Sequence, residues 1–448
     1  MGRAALPPFK LERWFAQHEF SAPFQLCNSD CEALTLTELL AMNTDQSLVE
    51  MWENLSLGYT ESQGHPTLLA EIASMYSTVA AEEVLCVVPE EGIFIAMTCL
   101  LQAGDHVVCV APCYQSLYEV ARSVGCDLSF WRPNERDGRV CFDPAVLRAL
   151  IRPNTKLVVV NFPHNPTGAQ PDAAEQAEIV EACAEVGAFL FSDEMYRGLE
   201  FADGAQPLPS AVDLYDRAIC LSGMSKTYSL PGLRVGWLAS HCAVEMRAFQ
   251  QHKDWTTICG SAPSEVLALM GLRARDKIAA RNKSLLKQNV ALLRAFFQEH
   301  SDLFQWSEPT AGSIAFPALV GKGMDGAAAL AYCKNLVEEY GILLLPVSQH
   351  KEECRHLLLS APSVLFFVRQ ICLHSRDSFS FPIDSMAPST TKSHVALVVA
   401  RLQTMTALST SRGSASGLEG RTSLTISQSG GKHWLLEQCL KRCTRMQQ

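Results

Sequence analysis

The sequence predicts an α/β protein, with a large domain built on a mostly parallel sheet flanked by helices and a smaller α/β domain. Six short β-rich runs occur between residues 84 and 240, and helical stretches separate several of them. The runs are apolar throughout rather than alternating, which is typical of strands covered on both faces in a parallel sheet. These runs are VLCVV, HVVCVA, LVVVNF, AFLFSDE, AICLSG and VGWLAS.

The chain after residue 240 has helical periodicity. The stretch KSLLKQNVALLRAFFQEH places four apolar residues on one helical face: Leu286, Val290, Leu293 and Phe297. A second αβ region follows, in which the runs GSIAFPAL and ILLLP lie on either side of the helical stretch DGAAALAYCKNLVEEYG. We expect this region to form the smaller domain together with the N-terminal residues.

These patterns divide the chain into four segments. Residues 1–50 are expected to be part of the smaller domain, 51–285 the large domain, and 286–346 a linker helix with the rest of the smaller domain. Residues 347–448 are atypical, because they include the Ser-, Thr- and Gly-rich stretch MTALSTSRGSASGLEGRTSLTISQSGG. Such composition without a sustained period predicts a partly disordered segment.

Composition excludes several functional classes. The net charge is −10 and no block of Lys and Arg is present, so we expect no nucleic-acid partner. No apolar run reaches the roughly 20 residues of a membrane helix, and the N-terminus has no signal-peptide pattern. The 17 cysteines are scattered without the spacing of a zinc site. We therefore expect a cytoplasmic protein with reduced thiols, no membrane partner and no metal.

One lysine stands out in the stretch SGMSKTYSLPGLRVGW. Lys226 is not part of a phosphate-binding P-loop, because Ser225 occupies the position where that loop has the glycine before its lysine. The other chemistry that needs one placed lysine is Schiff-base formation, as with pyridoxal phosphate. A nearby cation such as Arg234 would lower the lysine pKa, and its guanidinium suits a phosphate.

Further polar residues meet the other needs of that cofactor. Asp193, at a strand end in FLFSDEMYRG, would keep the pyridinium nitrogen protonated. Tyr196 and Asn165 would donate to the ring oxygen, and Tyr114 in APCYQSLY would cover the ring face. Backbone amides near Glu91 and Gly92, where PEEGIFIAM begins a helix, would bind the phosphate.

In this order the motifs resemble the class I/II aminotransferase family of pyridoxal-phosphate enzymes with fold type I. The stretch from Ser222 to Gly236 is similar to the family's lysine signature, and HNPTG and Asp193-x-x-Tyr196 to its next two blocks. The likeness covers about residues 50–346. It implies that Ser222 or Ser225 assists Arg234 at the phosphate. It also implies a homodimer in which Tyr59 reaches the partner's phosphate.

Three departures from the family pattern stand out. Glu90 and Glu91 occupy the phosphate segment, where the family has small or hydroxyl residues, and Gly223 replaces a frequent serine three positions before the lysine. The block with the arginine that binds the substrate carboxylate is not found after GILLLP. The sequence leaves three candidates for it: Arg355, Arg369 and Arg376.

The resemblance implies transfer of an amino group between an amino acid and a 2-oxo acid, with Lys226 moving the proton. Two alternatives stay open at this point. The same fold also runs elimination and ring closure, so a lyase or cyclase is one. The second alternative, which the altered C-terminus favours, is a relative that binds the cofactor but is catalytically impaired.

Overall fold

The computed structural model describes residues 5–136, 138–320, 326–346 and 357–360. The chain divides into two compact units, Met1–Leu373 and His374–Gln448, and everything described belongs to the first unit. The disorder predicted within residues 347–448, and the three candidate arginines there, lie outside the described residues.

The described residues alternate strands and helices as the sequence predicts. The strands are β1 (Phe24–Gln25), β2 (Val84–Val87), β3 (His106–Val110), β4 (Asp127–Trp131), β5 (Asn134–Arg136), β6 (Arg139–Cys141), β7 (Thr155–Asn161), β8 (Phe189–Asp193), β9 (Ala218–Gly223), β10 (Gly236–Ala239), β11 (Phe304–Gln305), β12 (Ile314–Ala315), β13 (Ala318–Leu319), β14 (Ile342–Leu343), β15 (Leu345–Pro346) and β16 (Leu357–Ser360). The helices are α1 (Lys10–His18), α2 (Leu36–Met42), α3 (Gln46–Glu53), α4 (Pro66–Ala73), α5 (Pro89–Leu100), α6 (Ser116–Val124), α7 (Pro144–Leu150), α8 (Ala173–Val186), α9 (Ala243–Lys253), α10 (Ala262–Arg273), α11 (Arg275–Glu299) and α12 (Gly326–Tyr340).

A seven-stranded sheet in the order β2-β10-β9-β8-β7-β3-β4 is the largest sheet of the described residues. Its strands pair in parallel, except that β10 is antiparallel to both β2 and β9. The prediction of a mostly parallel sheet is confirmed, and all six apolar runs are strands of it. Sequence reasoning missed β4, an edge strand in which exposed Asp127 and half-buried Leu128 break the apolar pattern.

The helices around this sheet begin and end at recognisable signals. Helix α5 starts with Pro89 at its first position, where the N–H that proline lacks would have no intrahelical acceptor. The helix contacts β9 and β10. Helix α8 has a capping box formed by Asp172 and Glu175 and ends at Gly187 with φ 67°. These signals agree with the helical stretches that the sequence predicts.

The smaller elements join the two ends of the described chain. Strand β1 pairs in parallel with β14, and Trp14 Nε1 donates to the Leu344 carbonyl at 3.1 Å. Helix α11 is longer than the predicted stretch, and all four residues of its predicted apolar face are buried. The domain boundaries at residues 50, 285 and 346 stay predictions.

The parallel strands bring the polar residues of the motifs to one edge of the sheet. In the register of β7, β8 and β9, Asn161 lies beside Asp193, and Asp193 lies beside Leu221. Lys226 follows the end of β9 by three residues. No helix among the described residues is long and apolar enough to span a bilayer.

Candidate active site

Two asparagines organise the loop after β7. Asn161 Nδ2 donates to the Asp193 carbonyl at 2.9 Å, and Asn161 Oδ1 accepts from the Asn165 amide at 2.8 Å. Asn165 Nδ2 in turn donates to the Tyr196 hydroxyl at 3.2 Å. The structure therefore brings the predicted Asn165 and Tyr196 together. Sequence reasoning missed Asn161, although a polar residue ending an apolar strand is a recognisable signal.

Asp193 is a buried carboxyl at the end of β8. Its Oδ1 accepts from the Met195 amide at 3.1 Å. Burial raises the pKa of Asp193 to about 7, while the Met195 amide and the nearby Lys226 amine oppose the rise. A cation near the same strand ends would stabilise the ionised form of this buried carboxyl.

Lys226 is half-buried at the same edge of the sheet. Burial lowers the pKa of its amine; Asp30 and Asp193 oppose this effect, and Arg234 adds to it. The Lys226 Nζ atom donates to Ser29 Oγ at 2.6 Å. A lowered pKa increases the fraction of neutral amine, the form that attacks a carbonyl. Ser29 and Asp30 were missed, because no local pattern connects them with a lysine so distant in sequence.

Tyr114 lies after β3, against the N-terminal segment. Its hydroxyl donates to Glu12 Oε1 at 3.3 Å, and its ring lies 5.1 Å from the ring of Phe9 at an interplanar angle of 49°. Burial, followed by the charges of Glu90 and Glu12, raises the pKa of the Tyr114 phenol well above its ordinary value. Tyr114 therefore stays neutral and can cover an aromatic ring.

The first turn of α5 carries the acidic pair that departs from the family pattern. Glu91 is turned back onto its own helix end, where Oε2 accepts from the Val88 amide at 3.2 Å and Oε1 accepts from Thr257 Oγ1 at 2.8 Å. The Gly92 amide is bonded to the Val88 carbonyl at 2.9 Å. The amides that precede Gly92 belong to the first turn, where N–H groups lack intrahelical acceptors.

Glu90 is placed differently from Glu91. Its Oε2 accepts from Ser116 Oγ at 3.1 Å. Burial raises the pKa of Glu90 to about 7, with Ser116 opposing and the charges of Glu12 and Asp193 reinforcing the rise. Glu90 is therefore an acid within electrostatic reach of the strand-end site.

The lysine signature places its other residues around β9. Arg234 is exposed with φ 57°, and its Nη1 donates to the Pro231 carbonyl at 2.9 Å. Ser222 is half-buried on β9, and Ser225 is buried. A Cβ on Gly223 would lie 2.9 Å from Gly236 Cα and 3.0 Å from the Val235 carbonyl oxygen. The frequent serine therefore does not fit at position 223 of this chain.

Tyr59 is almost fully exposed, with 94% of its surface accessible. Its neighbour Leu57 is also exposed, as are Trp255 and Ile258 in the turn between α9 and α10. Lys253 Nζ donates to the Ser62 carbonyl, which ties the two exposed segments together. These two segments therefore carry four exposed apolar side chains: Leu57, Tyr59, Trp255 and Ile258.

Comparisons with known proteins give the family. The family model "Aminotransferase class I and II" matches residues 25–356. Capreomycidine synthase of Streptomyces vinaceus is 27% identical over 351 residues, which are 77% of this chain and 87% of that protein. The L-aspartate:5-guanidino-3-methyl-2-oxopentanoate transaminase of Pseudomonas syringae pv. syringae is 29% identical over 255 residues, 56% of this chain and 61% of its own length.

Solved structures agree with this match. A PLP-dependent aminotransferase from Streptococcus suis 89-1591 superposes with a TM-score of 0.73 at 30% identity, covering 84% of this chain and all of that one. The PLP-dependent cyclase OrfR superposes with a TM-score of 0.71 at 26% identity, covering 81% of this chain and 94% of that one.

The donor set of the strand-end site fits pyridoxal phosphate. It combines a lysine of lowered pKa, a buried carboxyl, a neutral amide–phenol pair and free amides of a helix N-terminus beside Arg234. Glu90 is the group that fits a phosphate least, because its carboxylate would repel the phosphate when ionised. Its raised pKa increases the neutral fraction and so weakens this repulsion. The chain belongs to the class I and II aminotransferase family and is a pyridoxal-phosphate-dependent aminotransferase.

Proposed function

We propose that Lys226 carries the cofactor and moves the proton on the substrate during amino-group transfer. The observation that carries this proposal is the position of the Lys226 amine, at the strand ends within electrostatic reach of Asp193 and with a lowered pKa. Pyridoxal phosphate, when bound, supplies an electron sink for the charge that develops at the substrate Cα. Lys226 would take the proton from that carbon as general base and return it as general acid.

The other predicted residues would hold and tune the cofactor. Asp193 would face the ring nitrogen, since a buried carboxyl there gains from a positive partner. Tyr196 and Asn165, already hydrogen-bonded to each other, would donate to the ring oxygen. Tyr114 would cover the ring.

The phosphate would lie at the first turn of α5. Arg234 is the cation that suits this place, because it is within electrostatic reach of both Lys226 and Glu90. Ser222 or Ser225 and the amides near Glu91 would complete the phosphate site. Gly92 would contribute through close packing rather than its amide, because a Cβ there would lie 2.8 Å from Val87 Cγ2.

The substrates would be an amino acid and a 2-oxo acid. Product analysis with and without an added 2-oxo acid tests this reaction, because amino-group transfer runs to completion only when an acceptor is supplied. Sustained turnover of the amino acid without an acceptor would contradict it.

A second candidate reaction is ring closure of the substrate. It is supported by the similarity to the PLP-dependent cyclase OrfR, of which the chain covers 94%. In that case mass spectrometry of the product would show a cyclised amino acid and no 2-oxo acid formed from the donor.

The substrate side chain would be cationic. Glu12 accepts from the Tyr114 hydroxyl at 3.3 Å, and Glu90 lies within electrostatic reach of the same phenol and adds negative charge there when it is ionised. One relative is named for a 5-guanidino substrate. A matched pair of donors tests this: arginine should be used more efficiently than citrulline, which replaces the guanidinium by a neutral urea group.

The active form would be a homodimer in the cytoplasm. Leu57, Tyr59, Trp255 and Ile258 are exposed, and Thr257, next to Ile258, bonds Glu91 at the first turn of α5. A partner docked there could bring its own Tyr59 to the phosphate. The cysteines of the described residues are free thiols, as suits a reducing compartment.

A further inference from the structure

The Lys226 amine has a hydrogen-bond partner from the N-terminal part of the chain. Lys226 Nζ donates to Ser29 Oγ at 2.6 Å, although 197 positions separate the two residues. A bond donated by a protonated amine is charge-assisted and stronger than one between neutral groups. Ser29 therefore interacts with the one amine on which the proposed chemistry depends.

Ser29 is itself fixed in place. Its carbonyl accepts from Ser313 Oγ at 2.6 Å, in the turn before β12. The Ser29 hydroxyl also lies near the Tyr196 phenol, where it opposes the rise in the Tyr196 pKa that burial causes. Tyr196 accepts in turn from Asn165 Nδ2 at 3.2 Å. Ser29 thus lies next to the Tyr196 phenol and is hydrogen-bonded to the Lys226 amine.

We propose that Ser29 is a positioning residue that orients the Lys226 amine for proton transfer. The proposal rests on the proposed function, in which the free amine takes a proton from the substrate and returns it. An ammonium or amine group turns freely about its Cε–Nζ bond. A hydrogen bond from one N–H to Ser29 Oγ stops this rotation. The other N–H bonds of the ammonium, or the lone pair of the neutral amine, then keep a defined direction, and correct orientation lowers the barrier of a proton transfer.

The residue beside Ser29 contributes to the same amine. Burial lowers the pKa of Lys226. Among the nearby charges, Asp30 opposes this effect most strongly, ahead of Asp193. The segment Ser29–Asp30 therefore accepts an N–H of the lysine and also favours its protonated form. Loss of the Ser29 acceptor should lower the pKa of the amine further, because the ammonium loses a hydrogen bond.

The test compares Ser29→Ala with Ser29→Thr, which keeps the hydroxyl. In Ser29→Ala we expect kcat to fall about tenfold with KM changed less than about twofold. The kinetic isotope effect with Cα-deuterated substrate should increase, and the acidic limb of the kcat profile should move to lower pH. Ser29→Thr should restore kcat, the isotope effect and the pH profile. If Ser29→Ala does not fold, Ser29→Cys, with a weaker acceptor of similar size, takes its place.

A second measurement does not depend on turnover. The rate at which cofactor-free protein captures pyridoxal phosphate depends on the neutral Lys226 amine, so its pH midpoint should fall in Ser29→Ala. An unchanged isotope effect, pH profile and capture midpoint in Ser29→Ala would overturn the proposal, as would equal losses in the Ala and Thr variants. Borohydride reduction of each variant separates the two claims: label on another lysine would contradict the proposed function itself.

Discussion

The side chains of Glu90 and Glu91 leave the first turn of α5 in different directions. Glu91 bonds the Val88 amide and Thr257, whereas Glu90 bonds Ser116 and lies within electrostatic reach of Asp193 and Arg234. Two acids beside a phosphate would repel it strongly. Glu91 is turned back onto the helix end by these donors, and the charge that Glu90 places near the site depends on whether Glu90 is ionised.

Cofactor affinity should therefore depend on pH through Glu90. Burial raises the pKa of Glu90 to about 7, so the carboxyl is largely neutral about one unit below that value and largely ionised about one unit above it. We expect the dissociation constant of pyridoxal phosphate to rise several-fold over this interval, and Glu90→Gln to weaken this dependence. Equilibrium titration of cofactor-free protein measures it. Glu178→Gln, an exposed change on α8, is the control; equal pH slopes in both variants would contradict the prediction.

Asp193 should lower the stability of the cofactor-free protein at high pH. Its folded pKa is about 7 because of burial, while an unfolded Asp has a pKa of about 3.9. The destabilisation is therefore absent below the unfolded pKa, grows as the pH rises above it, and is complete above the folded pKa. Asp193→Asn should raise the Tm above the folded pKa by a few degrees and leave it unchanged below the unfolded one. Asp302→Asn, an exposed change, should have no such effect.

The same substitution should remove most of the activity. A carboxylate that stabilises the cofactor's positive ring nitrogen acts in the transition state, and such groups are worth about 10²–10³ in kcat. Steady-state kinetics of fully loaded Asp193→Asn should show this loss. Wild-type kcat in the variant would remove Asp193 from the mechanism.

Tyr59 should act across a dimer interface. Tyr59→Phe should weaken cofactor binding about tenfold if its hydroxyl bonds the partner's phosphate. Mixed dimers give a sharper test: a Lys226→Ala subunit paired with a Tyr59→Ala subunit contains one complete site. At limiting cofactor, the mixture should therefore be more active than either variant alone. A monomer in light scattering that binds the cofactor tightly would contradict this prediction.

Binding of the substrate carboxylate should need an arginine that lies outside the described residues. A bidentate arginine is the usual partner of a carboxylate, and Arg369 is the first candidate because apolar neighbours in VLFFVRQI suit a strand. Spectral titration with amino acid should show a loss of response in Arg369→Ala. Arg376→Ala tests a second candidate in the same way, and equal responses in wild type and both variants would show that the arginine lies elsewhere.

Local patterns predicted much of this molecule, and the exceptions have a physical cause. The strands β7, β8 and β9 are buried on both faces, so their apolar composition identifies them, and parallel pairing then brings Asn165, Asp193 and Lys226 to one edge. Ser29 and Glu12 reach the same site from the N-terminal segment. Their positions depend on tertiary packing, such as the bond from Tyr114 to Glu12, which no local pattern encodes.

The central claim is that Lys226 carries the cofactor, and borohydride reduction followed by peptide mapping tests it most directly. Protein loaded with pyridoxal phosphate should absorb in the near-visible region, and reduction should fix the label on the peptide that contains Lys226. Lys226→Ala should fold with an unchanged circular-dichroism spectrum and show neither the absorbance nor the label. Label on any other lysine, or undiminished near-visible absorbance in Lys226→Ala, would contradict the account.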